Sequence, residues 1–195
     1  MILYLTKQTF ERYKLTPPEK MHSPVREITE EVKKREQGNR LLEWGGKILY
    51  FDRRKCIQFT NFASKFTVFL IDIKVKDLQY LGDAIFMYLF DFYQGNREMT
   101  NLLKRLAEEH PITVIDRLKD KSVIATLNRT QLDFALDGYR FYEFIENNVL
   151  QSKKLNRKVN TDYIFGKKVD GKSSPEYFFS GTLFEKLLKE YYGKA

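Results

Sequence analysis

The stretch LLEWGGKILYFDRRKCIQFTNFASKFTVFLID, from Leu41 to Asp72, constrains the fold of this chain more than any other. Two apolar and aromatic runs, Lys47–Phe51 and Cys56–Thr60, are separated only by Asp52-Arg53-Arg54-Lys55. A third run, Phe66–Ile71, follows after Asn61-Phe62-Ala63-Ser64-Lys65. Connections this short leave no room for a crossover helix, so the runs read as antiparallel neighbours. Ile57 and Phe59 alternate with Gln58 and Thr60, the period-two pattern of a strand with one buried face. Phe66–Ile71 is apolar nearly throughout and is expected as a central strand covered on both faces. Gly45-Gly46 marks a turn or bulge beside Trp44, the single tryptophan, which reads as a core anchor or a ligand-stacking ring.

Around this block the hydrophobic spacing changes to that of helices. Ile2–Leu5 reads as a short strand, followed by a helix carrying Phe10 and Tyr13 and capped by Thr6. Ser23-Pro24 opens a second helix on which Val25, Ile28 and Val32 share a face. Leu78, Leu81, Ile85, Leu89 and Phe92 predict a buried helix over 75–93, and Leu102, Leu103 and Leu106 another over about 99–109. Ile112–Ile115 looks like a strand, the segment from Ser122 is ambiguous between strand and helix, and Tyr139–Leu150 is compatible with a helix. Residues 151–175 read as a basic excursion. Thr182 and Glu185 form the pattern of a capping box ahead of a last helix over 183–192. The expected architecture is one α+β domain over 1–195, a mostly antiparallel sheet with core strands at about 47–71 packed against helices.

Composition narrows the chemistry. One cysteine, Cys56, excludes an intramolecular disulfide framework and a multi-cysteine zinc site. The longest apolar window falls far short of a membrane span, and no leader pattern opens the chain, so a cytoplasmic protein with no membrane partner is expected. Sixteen Phe and twelve Tyr imply either a core built from rings or a base-stacking surface. The net charge of +8 is uneven: Lys153, Lys154, Arg157, Lys158, Lys167, Lys168 and Lys172 crowd one segment against Asp162 and Asp170. Such an excess attracts polyanions and also keeps a protein soluble.

Catalytic signatures are missing. His22 and His110 are far apart, with no partner pattern for a nucleophile or a zinc site, and no phosphate-cradling or dinucleotide loop is present. No cofactor is therefore expected. The catalytic candidates are Asp72 and Asp116, which end the apolar runs FLID and TVID in the same way. Both would emerge from one edge of a sheet and hold Mg²⁺ for phosphodiester cleavage, or else each caps a turn. Arg53, Arg54 and Lys55 place three cations on a tight turn, with Tyr50, Phe62 and Phe66 near in sequence. That combination suits phosphate contacts and base stacking, or else an edge turn charged against aggregation.

The segments MILYLTKQTFERYKL, EWGGKILYFDRRKCIQFTNFASKFTVFLIDIKVKDLQYL and DKSVIATLNRTQLDF resemble a family of small bacterial proteins described only as a domain of unknown function. Thr6-Lys7, Trp44, Arg53-Arg54-Lys55, Asn61, Lys76-Asp77-Leu78 and Asn128 match its pattern in order over roughly residues 1–135, while Asp120-Lys121-Ser122 stands where that pattern has Asn-Arg-Ser. The resemblance implies a bacterial α+β domain and supplies no activity. The leading expectation is a non-catalytic nucleic-acid-binding protein, RNA preferred, using Arg53, Arg54, Lys55 and the Lys153–Lys168 cations. The alternatives are a metal-dependent nuclease built on Asp72 and Asp116, and a structural module that pairs with itself or another chain.

Overall fold

A computed structural model describes residues 1–51, 54–136, 140–147, 149–167 and 174–193. Five strands, β1 (Ile2–Leu5), β2 (Glu43–Phe51), β3 (Arg54–Asn61), β4 (Thr67–Ile71) and β5 (Val114–Arg117), form one sheet in the order β4-β3-β2-β1-β5. The block at 47–71 supplies the antiparallel part, with Ile48 opposite Ile57 and Ile57 opposite Leu70. β1 joins β2, and β5 joins β1, both in parallel, so the α+β fold is built on a mixed sheet. The helices are α1 (Lys7–Tyr13), α2 (Ser23–Glu36), α3 (Leu81–Phe92), α4 (Arg97–Glu109), α5 (Lys121–Leu136), α6 (Ser152–Thr161) and α7 (Ser180–Gly193). Two small hairpins, β6 (Ile145–Glu146) with β7 (Val149–Leu150) and β8 (Ile164–Lys167) with β9 (Glu176–Phe179), and 3-10 turns at Pro18–Lys20, Val75–Tyr80 and Phe141–Phe144 complete the described elements, so the helix expected over 75–93 is a 3-10 turn followed by α3.

Strand alternation sorts the core. Leu3, Leu5, Trp44, Ile48, Phe59 and Leu70 share one sheet face and pack with side chains of α1, α3, α4 and α7. Ile2 and Tyr4 point the other way, toward Val32 of α2 and Val123 and Leu127 of α5. Much of the ring excess lies inside: the Phe66 ring sits 5.0 Å from Phe92, 5.5 Å from Phe184 and 6.4 Å from Trp44, centroid to centroid. Gly45-Gly46 lies within β2 and is demanded by packing. A Cβ on Gly45 would stand 2.4 Å from Val123 Cγ1, and one on Gly46 2.4 Å from Leu5 Cδ2.

Several expectations are corrected. The strand over 66–71 is an edge strand, not a central one, although both its faces are covered. The stripe of α2 is rotated: Val25 and Ile28 are exposed, and Thr29, Val32 and Glu36 are buried. The strand expected at 112–115 starts two residues later, because the Ile112 carbonyl accepts from the Met1 ammonium and pairing begins with Val114 N–H on the Met1 carbonyl. Tyr139 and Asn148 lie outside the described residues; the others of that segment make a 3-10 turn at Phe141–Phe144 and the strands β6 and β7, with Asn147 between them in the left-handed region, φ 50°. The basic stretch from 151 carries α6. The last helix begins at Ser180, which puts Thr182 and Glu185 inside it, and Glu185 pairs with Lys189 instead of capping.

α6 explains how an edge strand is hidden. Leu155, Asn156, Val159 and Asn160 are its buried residues. The Asn156 amide accepts from Phe69 N–H at 2.7 Å and donates to the Phe69 carbonyl at 3.3 Å. Asn160 does the same to Thr67, at 2.8 and 2.7 Å. The spacing matches: four helical residues rise about 6.0 Å and two strand residues about 6.6 Å, and strand residues two apart present their backbone groups to the same side. A pair of side-chain amides thus stands where a sixth strand would pair. Asn160 also accepts from Ser180 Oγ at 2.7 Å and donates to the Asn156 carbonyl at 2.6 Å, so its full hydrogen-bonding capacity is used.

A second buried polar knot closes α2. Glu36, with 0% exposure, accepts from His110 Nδ1 at 3.0 Å and Arg35 at 2.7 Å, and pairs with the Met1 ammonium. Burial alone would push this carboxyl up. The hydrogen bonds from His110, the ammonium and Arg35 overturn that and lower it from 4.5 to about 2.

Asn160→Leu, close in volume, strands the Thr67 N–H and carbonyl in an apolar setting and should cost about 3 kcal/mol of stability, read from the urea midpoint; a loss below about 1 kcal/mol contradicts the clasp. The stabilisation held in Glu36 is complete above pH 4.5 and is lost as pH falls through about 2. Glu36→Gln should therefore lower the melting temperature at pH 7 and flatten the acid limb of the stability curve between those values, and an unchanged acid limb would count against the knot.

Candidate nucleic-acid interface

Three segments of the pattern quoted above meet at one end of the sheet. The β2–β3 hairpin sets Phe51 opposite Arg54 and Tyr50 opposite Lys55. Opposed residues share a face, so Tyr50 and Lys55 lie on the α1 side of the sheet and Arg54 on the other. The last turn of α1 brings Tyr13, buried, under Lys55, whose Nζ sits 4.3 Å from the centre of its ring. Tyr13 Oη donates to the Ile73 carbonyl at 2.9 Å and ties the loop after β4 to the same place. Burial pushes the Tyr13 phenol up to about 12, so it stays a donor. In that loop Asp72 N–H donates to the Lys55 carbonyl at 2.7 Å, and the Asp77 carboxylate accepts from Lys74 N–H at 2.8 Å.

This end carries an exposed ring and several exposed cations. Tyr50 keeps 51% of its surface in solvent, and the Arg12 guanidinium lies 5.8 Å from its ring centre. Lys14, Lys74 and Lys76 are exposed and have no carboxylate partner among the described residues. Lys14 caps α1 in the left-handed region, φ 52°, and Asp72 leaves β4 at φ 55°. Phe62 and Phe66, expected as further stacking rings, are buried at 6% and 1% exposure and belong to the core.

The cations read from the sequence fare unequally. Arg53 and Lys168 lie outside the described residues, and of Lys167 only the backbone, paired with Glu176 in the β8–β9 hairpin, is described. Arg54 is held by Asp72, Nε to Oδ2 at 3.2 Å. On α6, Lys153 pairs with Asp91 at 2.8 Å, Lys154 with Glu146 and Lys158 with Asp162 at 3.0 Å. Arg157 donates to the Asp91 carbonyl at 2.8 Å and lies over the Phe92 ring. Lys153 and Arg157 fasten α6 to α3 and Lys154 fastens it to the β6–β7 hairpin, while the Lys158 pair lies within the helix and its C-terminal cap.

Asp72 and Asp116 do not come together. Asp72 follows β4 and Asp116 lies within β5, the two edges of the sheet, four strand spacings or roughly 19 Å apart. Asp116 pairs with Lys33 of α2 at 2.9 Å, and among the described residues no group of three His, Cys, Asp or Glu is placed to hold a metal. Cys56 is buried, and burial pushes its thiol up to about 11, away from nucleophilic use. A cleft of about 310 Å³ beside the start of α7 is lined by Arg157, Thr182 and Glu185, of which Arg157 is engaged by Asp91 and Glu185 by Lys189.

Other residues of the pattern serve the fold. Asn61 donates to the Leu41 carbonyl at 2.9 Å and accepts from Ala63 N–H, Ser64 N–H and Ser64 Oγ, which shapes the loop between β3 and β4. Trp44 is buried in the core at 1% exposure. On the α5 face Lys47, its pKa lowered by burial, donates to Asn128 at 2.6 Å. Sequence reasoning did not single out Arg12, Lys14, Lys74 and Lys76 as site residues; Lys76 entered only through the family pattern, and the signal of the others was basic residues flanking Tyr13 and Val75, legible only when Tyr13 and Ile73 are known to touch. No helix among the described residues is long and apolar enough to cross a membrane.

No curated protein and no solved structure matches the chain. One family model does, over residues 2–177, past the span of the pattern quoted from the sequence. The chain belongs to the family described as Domain of unknown function (DUF6933).

Proposed function

We propose that this protein is a non-catalytic nucleic-acid-binding module that takes a single strand, RNA in preference to DNA, at the hairpin end of its sheet. The observation that carries the reading is the half-exposed Tyr50 ring, backed by Arg12, with Lys14, Lys74 and Lys76 exposed on the two segments that Tyr13 ties to the hairpin. Every base has a π face, so an exposed ring among cations accepts unpaired bases without reading their sequence. The sequence carries no helix-turn-helix or other groove-reading pattern, and unstacked bases are commonest in single-stranded RNA.

A fluorescein-labelled 12-nucleotide single strand, followed by anisotropy, tests this. Binding should weaken steeply with salt, with a log–log slope of about −0.7 for each phosphate engaged. Tyr50→Ala should weaken it by about tenfold, the loss of one stacked base, while changing the unfolding free energy by less than about 0.5 kcal/mol. Absence of binding to RNA and DNA at low salt ends the reading.

A second reading rests on the β8–β9 hairpin, where Ile164, Tyr177 and Phe179 share one face with exposures of 55%, 71% and 39%. An apolar face of this kind suits a second protein surface, including another copy of this chain. Light scattering should then show a mass that rises with concentration and that Tyr177→Ser returns to the monomer; a strict monomer at all concentrations removes self-association.

A further inference from the structure

The sharpest feature of the hairpin end outside the Tyr50 platform is the contact between Arg54 and Asp72. Arg54 directs both Nε and Nη2 at Asp72 Oδ2, with Nε also 3.5 Å from Oδ1. A planar guanidinium presents the same fork to the oxygens of a phosphodiester. The pair is open to solvent on both sides, with Arg54 at 31% and Asp72 at 50% side-chain exposure, and exposed pairs of this kind contribute little to stability. Its position, by contrast, is strongly specified. Asp72 departs from β4 in the left-handed backbone region, which few residues other than Gly, Asn and Asp enter without strain, and its N–H is tied to the Lys55 carbonyl. Lys74 and Lys76 follow Asp72 closely in the chain, and the Asp77 carboxylate is engaged by Lys74 N–H. Asp72 is therefore an anion held by its own backbone against a guanidinium that is forked on it.

We infer that Arg54 is a phosphodiester-binding subsite of this interface and that the Asp72 carboxylate fills it in the free protein, so that a bound strand displaces Asp72. This rests on the nucleic-acid reading and adds a specific subsite and an internal competitor to it. The predicted consequence has an unusual sign: removing an acidic side chain creates tighter binding only while Arg54 is present.

Wild-type protein, Asp72→Asn, Arg54→Gln, the double variant and Glu190→Gln, a charge control on α7, are compared by anisotropy with the same labelled single-stranded RNA. Asn keeps the left-handed backbone of residue 72, and Asp72→Gly, which that backbone also accepts, serves as a second route to the same loss of charge. Asp72→Asn and Asp72→Gly should each bind about fivefold tighter than wild type, with a salt slope steeper by about 0.7, and Arg54→Gln should erase that gain. A gain that persists in the double variant, or that Glu190→Gln reproduces, overturns the inference as a generic effect of net charge. Binding that depends on Tyr50 but is indifferent to Asp72 overturns it while leaving the interface reading standing. No binding by any variant overturns both.

Discussion

The architecture depends on two asparagines. A sheet whose last strand is as apolar as Thr67–Ile71 exposes a row of unpaired N–H and carbonyl groups, a template for pairing with other chains. Asn156 and Asn160 of α6 fill that row from the side, each accepting from and donating to one strand residue. Because the helical rise over four residues and the strand rise over two nearly coincide, both amides engage without distortion. The clasp also reaches outward: Asn160 receives Ser180 Oγ, and Tyr93 Oη donates to the Gly181 carbonyl at 2.6 Å, so the start of α7, the edge of the sheet and α3 are joined through a few polar atoms. Phe69, Leu155, Val159, Tyr163 and Phe165 pack together in the same region and keep water from those bonds.

This arrangement changes the meaning of the positive charge. A helix that lays two amides and two aliphatic side chains against a strand turns its remaining faces to solvent, and on α6 those faces are basic. The cations are largely engaged at once, by Asp91, Glu146 and Asp162, and so secure the helix that carries the clasp. At the hairpin end of the sheet, by contrast, Lys14, Lys74 and Lys76 are exposed without a carboxylate partner among the described residues, and Tyr50 is half-exposed. Charge in the first region is engaged within the molecule; charge in the second is the basis of the proposed interface.

The strands at 47–71 were legible because alternation and short loops are local properties, and β1, α1 and α4 were legible for the same reason. The edge position of β4 was not. An apolar run reads as central because sequence assumes that a strand supplies its neighbours, whereas here asparagine side chains do, and Asn156 and Asn160 look like surface residues until the strand they face is known. Glu36 misled in the same way: as the last residue of a charged helix it reads as solvated, yet a histidine from the end of α4 and the Met1 ammonium make it the residue that fixes which face of α2 turns inward. Of the candidate site, Arg54 and Lys55 were legible by residue type. Their commitments to Asp72 and Tyr13 depend on strand register and on the packing of α1, which no local pattern encodes, and the two aspartates that ended similar runs came to opposite edges because β5 pairs with β1 and not with β4.

The central claim is the division between a basic helix that serves the fold and a basic hairpin end that is proposed to serve a ligand. Titration of uniformly ¹⁵N-labelled protein with a single-stranded RNA oligonucleotide, followed by amide chemical shifts, separates the two directly. The account predicts perturbations at Arg12–Lys14, Tyr50, Arg54–Lys55 and Asp72–Lys76, with the amides of Ser152–Thr161 unmoved. Perturbations centred on Ser152–Thr161, with the hairpin end silent, would contradict it.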